Sequence, residues 1–165
     1  MKELITWAGQ EYEMEWFDNT DFSKLDNITQ VYGVLFNGEK LVIIRPTKER
    51  GWRLPGGGIE KGETFEECLI READEEADIE IDSLVPIGYI KVVPISDNCE
   101  KGVHYLLRYI GKITKIHDQT EDIAEGLVND RKFIDCKEFK DYCDWGKMGE
   151  ILIEKVKESK KTNLS

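Results

Sequence analysis

The sequence predicts a small α/β protein of the α+β kind, and three observations carry that prediction. Two apolar runs flank an Asn37-Gly38 pair, the glycines Gly56, Gly57 and Gly58 lead straight into an amphipathic helical pattern, and a second helical pattern lies near the end of the chain. Asn-Gly readily supplies the positive φ angles of a two-residue hairpin turn, so 30–36 and 41–45 are expected to pair as antiparallel strands.

The helical pattern after the glycines changes character partway along. Phe65, Cys68 and Leu69 fall on one side of a helix, and Glu72, Glu75 and Glu76 fall on the same side one turn further on. Thr64 followed three residues later by Glu67 makes a capping-box pattern that marks the helix start. Asp78 closes the helix, a residue that can adopt the left-handed conformation at more cost than glycine. Further on, 85–95 and 103–113 read as strands and 131–135 as a late strand. Met148, Ile151, Leu152 and Val156 give a C-terminal helix near 147–158 its core spacing. Ahead of the hairpin, Tyr12, Met14 and Trp16 alternate with acids, the pattern of a half-buried strand, and 18–27 forms a polar connector.

These elements make one domain over residues 1–165. Residues 1–28 are an extension expected to add an edge strand, and 159–165 are expected to fray. With 34 acidic against 23 basic residues the net charge is -11, which argues against long nucleic acids and anionic membranes as partners, since both are bound through basic patches. Cys68, Cys99, Cys136 and Cys143 show no CxxC spacing, and neither a signal peptide nor a long apolar run is evident, so reduced thiols in the cytoplasm are expected.

Core-facing carboxylates are expensive to bury unpaired. The acidic end of the helix is therefore either turned into solvent or neutralised by a divalent metal. The spacing around it favours the metal. Gly57 is followed after five residues by Glu63, which is followed after seven by Arg71-Glu72, a small Ala73, and then Glu75-Glu76, with Leu54-Pro55-Gly56 leading in. This resembles the Nudix box, G-x5-E-x7-R-E-U-x-E-E-x-G-U with U a small or aliphatic residue. One position departs: Asp78 stands where the family usually has glycine.

The resemblance implies the Nudix fold, a mixed β-sheet sandwiched between α-helices, and MutT-like hydrolysis by water attack on a phosphorus of a nucleoside diphosphate linked to some group X. It implies Mg2+ or Mn2+ as cofactor and a small nucleotide as partner. A nucleoside triphosphate or oxidised (d)NTP stands ahead of ADP-ribose, a nucleotide sugar or a dinucleoside polyphosphate. The alternative of another class is a Nudix module that senses a nucleotide without cleaving it. Some relatives pair subunits through an N-terminal strand, which leaves a homodimer open.

Within that resemblance, Gly57 through its carbonyl and Glu72, Glu75 and Glu76 are the expected metal ligands, since carboxylates three and four apart can converge on a hard cation. Arg71 orients Glu75, and Glu63 supports the junction of loop and helix. Glu121 or Glu125, in the loop before the late strand, is expected to bind metal or activate water. Gly56, Gly57 and Gly58 let the backbone approach phosphate. Arg45 and Arg53 are the expected phosphate contacts from a cluster that also holds Lys48 and Arg50, the alternative being a charged loop. Trp52 reads as core rather than a base-stacking residue, His104 as a satisfied strand histidine, and His117 as a solvated loop residue.

Overall fold

Eight strands form one mixed sheet in the computed structural model, which describes residues 1–47, 50–97, 99–123 and 126–163. In chain order the elements are β1 (Lys2–Trp7), β2 (Gln10–Phe17), β3 (Ile28–Asn37), β4 (Lys40–Arg45), β5 (Gly56–Gly58), α1 (Phe65–Ala77), β6 (Ile79–Pro94), β7 (His104–Ile116), β8 (Asp130–Ile134), a 3-10 turn (Cys136–Glu138), α2 (Phe139–Tyr142) and α3 (Gly146–Asn163). The sheet runs β1-β2-β6-β7-β3-β4-β8, with the short β5 paired to β3. The β3–β7 pair is parallel and the other pairs are antiparallel, which makes the sheet mixed.

Alternation along the strands divides the core in two. On one face Val31, Leu35, Val42, Leu107 and Tyr109 pack with Cys68, Leu69, Ala73 and Ala77 of α1. On the other, Val34, Ile43, Ile90 and Ile110 pack with Phe139, Met148, Leu152 and Val156 of α2 and α3. Helices on both faces of a mixed sheet give the expected sandwich. Asn37↔Lys40 closes the predicted hairpin. Among the described residues no helix is long and apolar enough to cross a membrane.

Several boundaries differ from the sequence reading, β3 starting at Ile28 and β7 running on to Ile116 among them. β6 begins at Ile79, just after α1, and its first half is hidden from the sequence reading because a bulge between Asp82 and Val85, with Ser83 at φ 53°, breaks the alternation on which a strand prediction rests. The N-terminal segment is a hairpin: β2 is flanked by β1 and β6, and β1 forms the outer edge. Its turn, Ala8-Gly9, carries positive φ at both residues without the usual Asn-Gly signal. The late strand begins one residue early, at Asp130. Helix α3 continues through Asn163 instead of fraying after Glu158, since Lys160 lies 3.9 Å from the Phe36 ring centroid and pairs with Glu39.

Candidate active site

The register of α1 is set at its start. Thr64 accepts a hydrogen bond from the Glu67 N–H, and the Glu67 carboxylate accepts one from the Thr64 N–H, completing the predicted capping box. The apolar face then fixes the helix rotation, with Cys68, Leu69, Ala73 and Ala77 buried against the sheet. Gly33 on β3 permits this close approach, for a side chain there would meet Leu69. With start and rotation fixed, Glu72, Glu75 and Glu76 are carried to the Gly56–Gly58 strand. Glycine is required there: a Cβ on Gly57 would lie 2.5 Å from Oε1 of Glu72.

A cleft of about 300 Å³ results. Gly56, Gly57 and Gly58 run along it. Glu60, Glu72, Glu75, Glu76 and Asp122 make it acidic, Arg53 and Arg71 reach into it, and Gln30 and Tyr32 come to it from β3.

The two arginines bind the acids into a network. Arg71 donates through Nε to Glu63 at 2.6 Å and through Nη1 to Glu72 at 3.0 Å and Glu75 at 3.2 Å, while Nη2 reaches the Gly58 carbonyl at 3.0 Å. The Arg71 bond holds the Glu63 carboxyl below its usual range. Glu63 also accepts from the Glu60 N–H, tying the loop to the helix as its expected supporting role requires. Glu76 is 4% exposed and uses both oxygens, one on the Gly56 N–H at 2.9 Å and one on Arg53 at 2.5 Å. Burial nevertheless dominates and pushes its carboxyl up to about 7, against the pull of Arg53 and the Gly56 N–H. Burial also raises Glu72, opposed by Arg71 and reinforced by Glu75 and Asp122.

The C-terminal end of α1 organises the facing loop. No basic residue occupies the last helical turn, yet its carbonyls are satisfied from β8 and the segment before it. Asn129 donates to the Glu76 carbonyl at 2.8 Å, and Arg131 donates to those of Ala77 at 2.8 Å and His117 at 2.9 Å. Asp78 adopts the left-handed conformation, φ 53° and ψ 48°. Its carboxylate accepts from the Thr120 hydroxyl at 2.6 Å and the Thr120 N–H at 3.1 Å. Two residues beyond that anchor, Asp122 is buried at the cleft.

The structure thus brings together Arg53, Gly56, Gly57, Gly58, Arg71, Glu72, Glu75 and Glu76. It does not bring Arg45, which pairs with Asp130 at 2.7 Å and stacks on Trp52 at 4.6 Å. Asp130 directly faces Arg45 across the β4–β8 pair, so the guanidinium already has its anion. Glu121 is exposed; the anchored loop turns its neighbour Asp122 inward instead. Glu125 and Lys48 lie outside the described residues. Trp52 packs edge-on against Tyr142, His104 bonds the Gly102 carbonyl at 2.9 Å, and His117 bonds Glu80 at 2.8 Å. Asp122 is one of the loop acids in the sequence reading but is passed over there for Glu121 and Glu125, and Gln30 and Tyr32 escape it. Strand periodicity puts Gln30 and Tyr32 on one face of β3 and offers a signal for them, whereas Asp122 depends on the distant Asp78–Thr120 contact.

With this geometry established, likeness to known proteins is informative. The model of the NUDIX domain family matches residues 26–161. A protein of Mycobacterium tuberculosis provisionally named mutator protein MutT4 is 39% identical over 77 residues, 45% of this chain; the chain spans only 30% of that protein. A Bacillus subtilis protein, YtkD, provisionally named an 8-oxo-dGTP diphosphatase, is 29% identical over 125 residues, covering 71% of this chain and 76% of that protein. The crystal structure of the Bacillus subtilis pyrophosphohydrolase BsRppH superposes with a TM-score of 0.71 at 22% identity, over 90% of this chain and 92% of that one, a likeness of fold.

Proposed function

Because the chain belongs to the NUDIX domain family, we propose that it is a Mg2+- or Mn2+-dependent pyrophosphohydrolase that cleaves the diphosphate linkage of a nucleoside diphosphate joined to a group X. A nucleoside triphosphate or oxidised (d)NTP is the favoured substrate, in keeping with the provisional name of YtkD, an 8-oxo-dGTP diphosphatase. The observation that carries the reading is the placement of Glu72, Glu75, Glu76 and Asp122 along one cleft beside the Gly56–Gly58 strand, where Gly57 keeps a side chain out of the space next to Glu72.

The donor set suits a hard divalent cation by its chemistry, although among the described residues no three such side chains are already grouped as a metal site. Glu72, Glu75 and Glu76 offer oxygens alone, and glycine at position 57 keeps a side chain out of the space beside Glu72. In the arrangement described, Arg53 and Arg71 provide the positive charge that these carboxylates need. A bound divalent cation would supply charge to bridging phosphate oxygens and make water acidic enough to serve as a nucleophile near neutral pH.

The chain's own residues do the rest. Glu72, Glu75 and Glu76 would hold the cation, and Arg71 keeps Glu72 and Glu75 in register. Arg53, paired with Glu76 here but lining the cleft, would turn its charge to the phosphates once a cation took over Glu76, and the Gly56–Gly58 backbone allows close approach. Water oxygen bonds to phosphorus as the bridging P–O bond breaks. The Asp122 carboxylate accepts the water proton, and the leaving phosphate departs with the bridging oxygen. The test is Mg2+-dependent product release from nucleoside triphosphates, oxidised dNTPs, ADP-ribose, nucleotide sugars and dinucleoside polyphosphates, resolved by chromatography. Turnover of one class is expected in the wild type and should fall by orders of magnitude in Glu76→Gln. Tight binding of one compound without turnover would make the protein a sensor instead.

A further inference from the structure

The acidic end of α1 leaves one part of the cleft unexplained. Gln30 and Tyr32 reach the cleft from β3, and Tyr32 packs with the core cluster on the sheet face opposite α1. The Tyr32 ring is tightly held. A side chain at Gly56 would run into it, and the Arg108 guanidinium sits 4.9 Å from its centroid. Arg108 is 4% exposed, its Nε has no hydrogen-bond partner, and Nη1 is spent on the Leu107 carbonyl at 3.1 Å. Keeping such a cation in the core is costly unless its position matters. Its contact here is the aromatic face, which clamps the ring.

The clamped phenol fixes its neighbour. Tyr32 donates its hydroxyl proton to Oε1 of Gln30 at 3.1 Å. An amide whose oxygen is engaged in this way is set in one orientation, with its NH2 left to donate. We infer that Gln30, held by Tyr32 over Arg108, contacts the substrate base and selects a keto oxygen over an amino group. Charge decides what it meets. A phosphate calls for a cation, and those in the cleft, Arg53 and Arg71, lie with the carboxylates. A neutral, fixed donor instead complements a neutral acceptor such as the keto oxygen of guanine, hypoxanthine or uracil. It opposes the amino group that adenine or cytosine presents at the corresponding position.

The inference rests on the nucleotide reading of the cleft but not on catalysis, so it is tested by binding. α,β-Methylene IDP and ADP differ in the base at the 6-keto or 6-amino position, and their P–C–P bridge cannot be hydrolysed. Dissociation constants are measured by calorimetry with Mg2+ present. The wild type is expected to prefer the inosine compound by about tenfold, the scale of one hydrogen bond exchanged for a clash of donors. Gln30→Glu turns the donor into an acceptor and should invert the preference. Tyr32→Phe keeps the ring on Arg108 but frees the amide, and should bring the ratio toward one. Equal wild-type affinities, absence of binding by both compounds, or a ratio unmoved by Gln30→Glu would overturn the inference. Inosine-selective binding without Mg2+-dependent hydrolysis of ITP would overturn the hydrolase and leave this assignment standing.

Discussion

At the scale of single residues, the site concentrates its cost in Glu76. A carboxyl of ordinary value 4.5 is raised by burial to about 7, so in the folded protein without metal it binds a proton that the unfolded chain has already released. The contribution is therefore fully favourable below 4.5 and is lost as the pH rises through about 7. Chemical denaturation in chelator should show a decline on the order of 3 kcal/mol across that window from this group. Glu76→Gln should flatten it, and an unchanged pH profile in that variant would remove burial as the cause. Gly57 poses the complementary case. Its Cβ would fall 2.5 Å from Glu72, so Gly57→Ala should displace that carboxylate. Turnover should drop at least about tenfold for a stability change near 1 kcal/mol; full activity would show that Glu72 has room to yield. Neither value is visible in the linear sequence. The positions of these residues are, because Nudix spacing names Gly57, Glu72 and Glu76 before any coordinates exist.

Among elements, the junction of α1, β6 and the loop before β8 explains the departure from the Nudix box at Asp78. A glycine would take φ 53° without strain, at a gain of about 1 kcal/mol. The aspartate instead spends that strain on a carboxylate that binds Thr120 twice and steadies the loop carrying Asp122. Asp78→Gly should therefore leave global stability within about 1 kcal/mol while speeding amide exchange over 118–122 and lowering kcat. Asp78→Asn, which retains one acceptor, should recover part of both. Unchanged loop protection in the glycine variant would dissociate Asp78 from the site. Elements with a local code were legible: the Asn37-Gly38 hairpin and the capping box of Thr64 and Glu67 are written in neighbouring residues. What escaped depends on remote partners or on broken periodicity. The Asp82–Val85 bulge hid the first half of β6, and Asp122 could not be told from Glu121 without Thr120 pinned to Asp78.

For the whole molecule, the open matter is how the N-terminal hairpin joins a fold whose family match begins at residue 26. β2 adds to β6, and its Tyr12 and Trp16 are buried in the cluster shared with α3. Gly88 on β6 leaves the space that Trp16 fills, since a side chain there would meet the indole. From β1, the Glu3 carboxylate accepts from the N–H groups of Lys147 at 3.2 Å and Met148 at 3.3 Å, an acidic cap on the start of α3 supplied from the opposite end of the chain. The hairpin is thus bound into the domain by both its core residues and its edge. Glu3→Gln should cost about 1 kcal/mol, the range of a lost helix cap. Removal of residues 1–17 should cost far more, because truncating even one buried aromatic commonly costs about 3–5 kcal/mol. Thermal unfolding with sedimentation velocity distinguishes this from a dimer arm. Integration predicts a large fall in Tm with the sedimenting species unchanged in number of chains, whereas an arm predicts a dimer that becomes a monomer of nearly unaltered Tm.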